Sequence, residues 1–316
     1  MKLVVITGCL GFIGSYVTRL CLQKGWKVYG IDKITYAANL QLLPEFEESP
    51  HFTFVEADIA TLKVLPDCDY LINIAAETHV GNSIIDSEDF IHTNVNGVKN
   101  LLELIRHKPT NVWERPILLH FSTDEVYGDI AAGEHVESDV LAPSNPYSAS
   151  KAAGDMLIKA WARTYDTKYI ILRPTNNYGI YQHNEKLLPL CVRALQRGHK
   201  IRLHDRGEPI RNWLHASDTA AATVAIIENG CTNEIFNVAG GYEQKNVDTV
   251  EKILKCFFNK EVELQEFIDL NHRRPGQDVR YSLNDNKLRS LGWRPHKVFD
   301  DEIGNIVKHY KENFHW

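Results

Sequence analysis

Short apolar runs alternate with longer stretches whose apolar residues recur at helical spacing through the first half of the chain. Leu3 to Ile6, Lys27 to Ile31, Phe52 to Ala57, Tyr70 to Ala75 and Ile117 to Phe121 read as buried strands. Between the first two, Phe12, Ile13, Tyr16, Val17, Leu20 and Cys21 fall at helical spacing and Gly25 stands at a C′ position, so the unit is βαβ. Asn145-Pro146 opens a further helix, with proline where its missing N–H costs nothing; the pattern runs to about Tyr165 and a strand follows from Tyr169 to Arg173. Such alternation predicts an α/β fold, a Rossmann-type doubly wound parallel sheet covered on both faces. After Pro174 the regularity loosens. Segments 176–207 and 241–316 are expected to build a smaller mixed α/β lobe, leaving 1–175 and 208–240 as the Rossmann-type domain.

With 316 residues, 44% of them hydrophobic, the chain can bury a substantial core without a disulfide scaffold. Its six cysteines are scattered, with no C-x-x-C or Cys/His ligand spacing, which points to free thiols in a reducing, cytoplasmic compartment and to no metal site. The opening run Met1 to Gly8 is too short for a signal h-region, and no later run approaches membrane-spanning length. A formal net charge of -6 with mixed signs lacks the basic stripe expected of a nucleic-acid binder. Anionic ligands must then be held by local arginines or helix N-termini.

Gly8-Cys9-Leu10-Gly11-Phe12-Ile13-Gly14 lies between the first strand and its helix, where backbone N–H groups would point at a pyrophosphate. The spacing is G-x-x-G-x-x-G; three glycines alone would equally make a tight turn, and the flanking strand and helix favour the dinucleotide. Asp32 ends the second strand about 20 residues further on, where a carboxylate accepts from ribose hydroxyls and repels a 2′-phosphate. This favours NAD over NADP, although Lys33 beside it could neutralise such a phosphate. Asp58, after the third strand, either bonds the adenine amino group or caps a turn.

Ser122 to Gly128 follows the fifth strand, at the edge where open α/β sheets bind ligands. Thr123, Asp124 and Glu125 open it; adjacent carboxylates there are costly unless used, the alternative being a turn cap beside a solvated glutamate. Tyr147 and Lys151 are four apart on the predicted helix and share a face, so the ammonium can stabilise a tyrosinate. A phenol with pKa near 10 needs that help to act as a base at neutral pH. Tyr29 and Lys33 have the same spacing but straddle a strand end. A nicotinamide, a tyrosinate, an acid and a base can together oxidise a secondary alcohol, use the ketone to acidify the next C–H, and expel water beyond it. The Asp/Glu pair is what points to elimination.

On these residues the chain resembles the nucleotide-sugar 4,6-dehydratases of the extended short-chain dehydrogenase/reductase family, above all those acting on dTDP-glucose. The likeness takes in Thr7-Gly8-x-x-Gly11-Phe12-Ile13-Gly14-Ser15, Asp32 to Tyr36, Ala75 to Val80, Thr93-Asn94-Val95, Ser122 to Gly128, Tyr147 to Lys151, Asn176 to Gly179, Glu185 to Pro189, Ile210 to Trp213 and Arg274-Pro275-Gly276. It implies that Tyr147 takes the sugar O4 proton with Thr123 orienting that hydroxyl, that Glu125 removes the C5 proton, and that Asp124 protonates the departing C6 hydroxyl. The implied NAD site comprises Gly8, Gly11, Phe12, Ile13, Gly14, Asp32, Lys33, Thr35, Asp58, Ile59, Ala75, Ala76, Thr93, Tyr147, Lys151 and Asn177. For the nucleotide sugar it implies Thr78, His79, Thr123, Asn176, Glu185, Lys186, Leu187, His204, Arg211, Asn237 and Arg274, with the two arginines on the pyrophosphate.

The chain departs from the family's usual residues at Gly81-Asn82, His183-Asn184, His204 and Gln277, which puts the choice of nucleotide sugar, dTDP-glucose before UDP-glucose, in question and spares the reaction type. Rival readings are a 4-epimerase or decarboxylase on the same scaffold, neither needing Asp124, and a catalytically silent NAD-binding regulator. The helices around 89–105 and 145–165 resemble those of the family's four-helix interface, so a homodimer is expected.

Overall fold

The structure, a computed structural model, describes residues 1–108, 114–275 and 278–313; Gln277 lies outside them. Twelve strands are formed among the described residues: β1 Leu3–Thr7, β2 Lys27–Asp32, β3 Phe52–Glu56, β4 Tyr70–Asn73, β5 Ile117–Phe121, β6 Tyr169–Pro174, β7 Asn176–Tyr178, β8 Ile201–His204, β9 Ile210–His215, β10 Glu234–Val238, β11 Tyr242–Lys245 and β12 Ile268–His272. Seven of them make one wholly parallel sheet in the order β3-β2-β1-β4-β5-β6-β10. The chain reverses its direction of travel across the sheet between β1 and β4, which opens a crevice at their carboxyl ends.

Both faces of this sheet are buried, which is why its strands read as nearly continuous apolar runs. Val4, Ile6, Val28 and Ile72 pack on one side with residues of the helices Phe12–Gln23 and Ala216–Glu228. Val5, Ile31, Leu71 and Leu118 pack on the other under the helices Val98–Arg106 and Pro146–Tyr165. A smaller core of Tyr178, Leu188, Trp213, Ile253, Phe299 and Ile306 lies against the mixed sheet β7-β9-β11. It draws on the helices Leu187–Gln196, Asn246–Phe258 and Phe299–Glu312. β9 belongs to the small sheet while the helix directly after it lies on the large one, so the chain passes between lobes at His215.

Two local departures from helical and strand periodicity shape the crevice. The stretch expected as one helix around 89–105 is a short turn Glu88–Phe90, a π-type segment Ile91–Gly97 and then a regular helix. The wide turn sets Asn94 to bond Glu77 at its N–H and carbonyl (3.0 and 2.9 Å) and Thr93 to accept from Lys33 (3.0 Å). The strand expected to reach Ala75 stops at Asn73, because the N–H groups of Ile74 and Ala75 turn onto the Thr7 hydroxyl, 3.2 Å away in each case.

Candidate active site

The glycine loop packs onto the start of its helix more tightly than any side chain permits. A Cβ on Gly14 would stand 1.9 Å from the Gly8 carbonyl oxygen, and Gly8 itself takes φ +69° against Ala75. Gly11 caps the helix Phe12–Gln23 without a side-chain acceptor, leaving the first-turn N–H groups to face a ligand. Gly8, Gly11, Phe12, Ile13, Gly14, Asp32, Lys33, Thr35, Ile59, Ala75, Ala76 and Thr93 all line one continuous cleft.

Asp32 is oriented by backbone donors, Leu10 N–H at 3.1 Å on one oxygen and Ile34 N–H at 2.9 Å on the other. Lys33 is occupied by carboxylates, Glu77 at 3.5 Å and Asp58 at 3.9 Å, as well as by Thr93. A 2′-phosphate would therefore meet Asp32 and a cation already paired. This donor set fits NAD. Asp58 does not line the cleft; it caps the turn at Ala60 (2.8 Å) and meets His92 Nε2 at 3.0 Å.

At the other end of the cleft, Thr123 ends an extended segment and caps the 3-10 turn Asp124–Tyr127. Its hydroxyl donates to Asp124 Oδ1 at 3.0 Å and accepts from Glu125 N–H at 3.3 Å. Asn145 caps the helix Pro146–Tyr165 in a reciprocal capping box with Ser148, and its Nδ2 also donates to Glu125 Oε2 at 3.3 Å. Burial, and then the charge of Glu125, push the Asp124 carboxyl up to about 7; its second oxygen is buried without a partner. Glu125 is raised by burial, with Arg211 and Asn145 opposing.

Tyr147 also lines the cleft, held at its backbone N–H by Ser83 Oγ at 3.2 Å. Burial, then Glu125, raise its phenol, while the Thr123 hydroxyl opposes. Lys151 lies one turn deeper. Its ammonium donates to the Phe121 carbonyl at 2.5 Å, and burial lowers it to about 8 against the pull of Asp155. Two neighbouring carboxyls, both with proton affinity raised by burial, a phenol and a lysine thus lie together.

The family described as GDP-mannose 4,6 dehydratase matches residues 5–306. The chain is 37% identical over 334 residues to the dTDP-glucose 4,6-dehydratase of Haemophilus influenzae, covering 99% of each. It is 36% identical over 312 residues to the low-salt glycan biosynthesis protein Agl12 of Haloferax volcanii, covering 97% of this chain and 98% of that one. The chain belongs to the 4,6-dehydratases of the extended short-chain dehydrogenase/reductases. Among solved structures of this family, the dTDP-glucose 4,6-dehydratase DesIV of Streptomyces venezuelae, solved with NAD bound, superposes with a TM-score of 0.89 at 35% identity, covering 98% of this chain and 97% of that one.

Of the residues that the dehydratase resemblance assigns to the sugar nucleotide, Thr78, Thr123, Asn176, Glu185 and Lys186 line the cleft, as does Asn177 near the cofactor. Asn176 Oδ1 is buried with no partner. Lys186 donates to Thr78 at its carbonyl and hydroxyl (3.0 and 3.1 Å), and burial tends to raise Glu185, but His183 and Lys186 hold it at about 2. Arg211 lies beside the cleft with its guanidinium over the Tyr281 ring and on the Asp278 carbonyl. Arg274 is half-buried with an unpartnered Nε, and both arginines act on Glu125.

His79 caps the short helix Val80–Ile85, Leu187 opens the next helix of the small lobe, and His204 sits at the end of β8 near His272. Asn237 is not brought to the cleft. It is wholly buried, accepts from Tyr127 OH at 2.8 Å and donates to the carbonyls of His135 and Asn284. Residues absent from the sequence-based assignment include Asn145, Ser83 and Glu77. Asn145 had a signal, its place before Pro146 at a helix start, but its second bond to Glu125 depends on a turn 20 residues away.

Proposed function

We propose that the chain removes water from a nucleoside-diphosphate hexose, dTDP-glucose first and UDP-glucose next, to give the 4-keto-6-deoxy sugar with NAD as a recycled cofactor. NAD, held by the glycine loop and Asp32, would supply a hydride acceptor for C4 and then a hydride donor for C6. Tyr147, helped by Lys151, accepts the O4 proton while Thr123 orients that hydroxyl. Glu125 then takes the C5 proton, and Asp124 gives its proton to the departing C6 hydroxyl. The observation that carries this reading is the Asp124 carboxyl, buried beside Glu125 and raised to about 7, so that a proton donor stands next to the second carboxyl near neutral pH.

An epimerase would have no use for that acid. The same reading takes 1–175 with 208–240 as the cofactor domain and 176–207 with 241–316 as the sugar-nucleotide lobe, except that the second crossing falls at His215 in place of 208, since β9 pairs within the small sheet. It also takes the protein to work in the cytoplasm as a homodimer. Purified protein incubated separately with dTDP-glucose and UDP-glucose, without added reductant, is expected to yield a product lighter by one water, detected by mass analysis. Loss of water from neither donor, with cofactor bound, would remove the proposal for these substrates.

A further inference from the structure

Behind the reacting side chains lies a buried polar network that the proposed chemistry leaves unused and that does not line the cleft. Arg173, next to last on β6, is 1% exposed and stands in register with the wholly buried Asn237 of β10. Its Nε and Nη2 both donate to Asp155 Oδ2, at 3.0 and 2.9 Å, and Asp155 belongs to the helix that carries Tyr147 and Lys151. Its Nη1 donates to the Tyr127 hydroxyl at 2.6 Å, and Tyr127 is the last residue of the turn that carries Asp124 and Glu125. One guanidinium thus holds both elements that supply the reacting groups.

The direction of these bonds is fixed by the groups themselves. A guanidinium only donates, so the phenol oxygen accepts from it and the phenol proton goes to Asn237 Oδ1 at 2.8 Å. Asn237 Nδ2 faces the carbonyls of His135 and Asn284 at 3.0 and 3.2 Å; both accept only, so the amide cannot be turned about. A fully buried ion pair is a poor source of stability, because both charges give up water. What this one supplies is geometry, since the planar fork aims separate donors at fixed angles and an ammonium on a flexible stem does not. The Tyr127 ring is further confined by stacking on His135, 4.9 Å between centroids at 11°. On the cleft side the same two elements meet through Asn145 and Glu125 at 3.3 Å, so they are joined at two points.

We infer that Arg173, with Asp155 and Tyr127, forms a bracket that sets the acid/base turn against the Tyr/Lys helix, so that water loss keeps pace with oxidation at C4. All three are positioning residues, since each acts through the turn or through the helix. The inference rests on the proposed function, in which Tyr147 works at O4 while Glu125 and Asp124 work at C5 and C6. A turn displaced relative to the helix spares the first step and hinders the second. Asp155, four residues on from Lys151, also favours its ammonium, in keeping with the support that Lys151 gives Tyr147.

Single-turnover reactions of the holoenzyme, with whichever of dTDP-glucose and UDP-glucose loses water, are quenched rapidly and resolved by mass. The C4 ketone that still carries its C6 hydroxyl is thereby separated from the product that has lost water. Tyr127→Phe removes one hydroxyl, and Arg173→Lys keeps a charge for Asp155 while giving up the reach to Tyr127. In each, water loss is expected to slow roughly 10- to 100-fold with C4 oxidation within about twofold of the unaltered rate, so the ketone accumulates. Adding Tyr127→Phe to Arg173→Lys is expected to change little more, because the hydroxyl acts through the guanidinium. Denaturant unfolding of the same three variants is expected to be non-additive as well, which reads the contact without turnover.

Steps slowed alike, slowed at C4 alone, or left unchanged in Tyr127→Phe overturn the bracket, even where Arg173→Lys does not fold. Additive losses in the double variant, in water loss or in unfolding, overturn it too. An unaltered protein that takes water from neither donor strikes the proposed function and the bracket's role with it, whereas a working enzyme whose variants accumulate no ketone strikes the bracket alone.

Discussion

The proton on Asp124 is the smallest feature on which the proposed chemistry turns. Its folded-state affinity is raised above that of an ordinary carboxyl, so the acid form is present below about pH 7 and is lost as pH rises through that value. The water-loss step is therefore expected to slow on that rise. Asn at this position keeps the shape and cannot protonate a leaving group, so Asp124→Asn should cut the elimination rate by roughly 10²–10⁴-fold and abolish the limb near pH 7. Quenched-flow product analysis across pH checks both; unchanged dehydration would refute the assignment. The Thr123-Asp124-Glu125 cluster was readable because it follows a strand and precedes a Tyr/Lys helix, but its proton affinities were not, since they come from burial and from Arg211 far along the chain.

Helices and strands with strong periodicity were legible nearly to the residue, as in Ile117–Phe121 and Pro146–Tyr165, where an apolar run or an Asn-Pro start carries the signal locally. The π-type segment Ile91–Gly97 was not, because its wide turn is imposed by bonds from Asn94 and Thr93 to loops folded against it. Asp32 and the glycine loop were visible in sequence, whereas the pairing of Lys33 with Glu77 required the turn after β4. Asn145 shows how one residue serves an element and a site together. Asn145→Ala should cost about 1 kcal/mol of stability through the lost cap, read as a lower unfolding midpoint. It should also raise Glu125 further by removing a donor to its carboxylate, read as a shift of the acid limb of activity to higher pH.

For the whole molecule, the apolar residues left outside the cores bear on assembly. Ile91 and Met156 are 43% and 56% exposed on the two helical regions expected to meet a second copy. Sedimentation equilibrium at working concentration should return twice the chain mass, and Met156→Glu should lower the association constant; a purely monomeric species would count against the dimer. Every cysteine among the described residues is a free thiol, four of them buried, in accord with a core that needs no cross-links.

The helix Phe299–Glu312 carries Tyr310, whose hydroxyl accepts from Gln182 N–H at 2.8 Å and donates toward the Gly179 carbonyl at 2.9 Å. Gln182 and His183 form part of the cleft wall, next to the paired Glu185 and Lys186. A single phenol thus fastens the far end of the polypeptide to the rim over which the sugar nucleotide must pass. Motion of that terminal helix would be felt at the cleft as a change in how long product stays, with no alteration among the groups that make and break bonds.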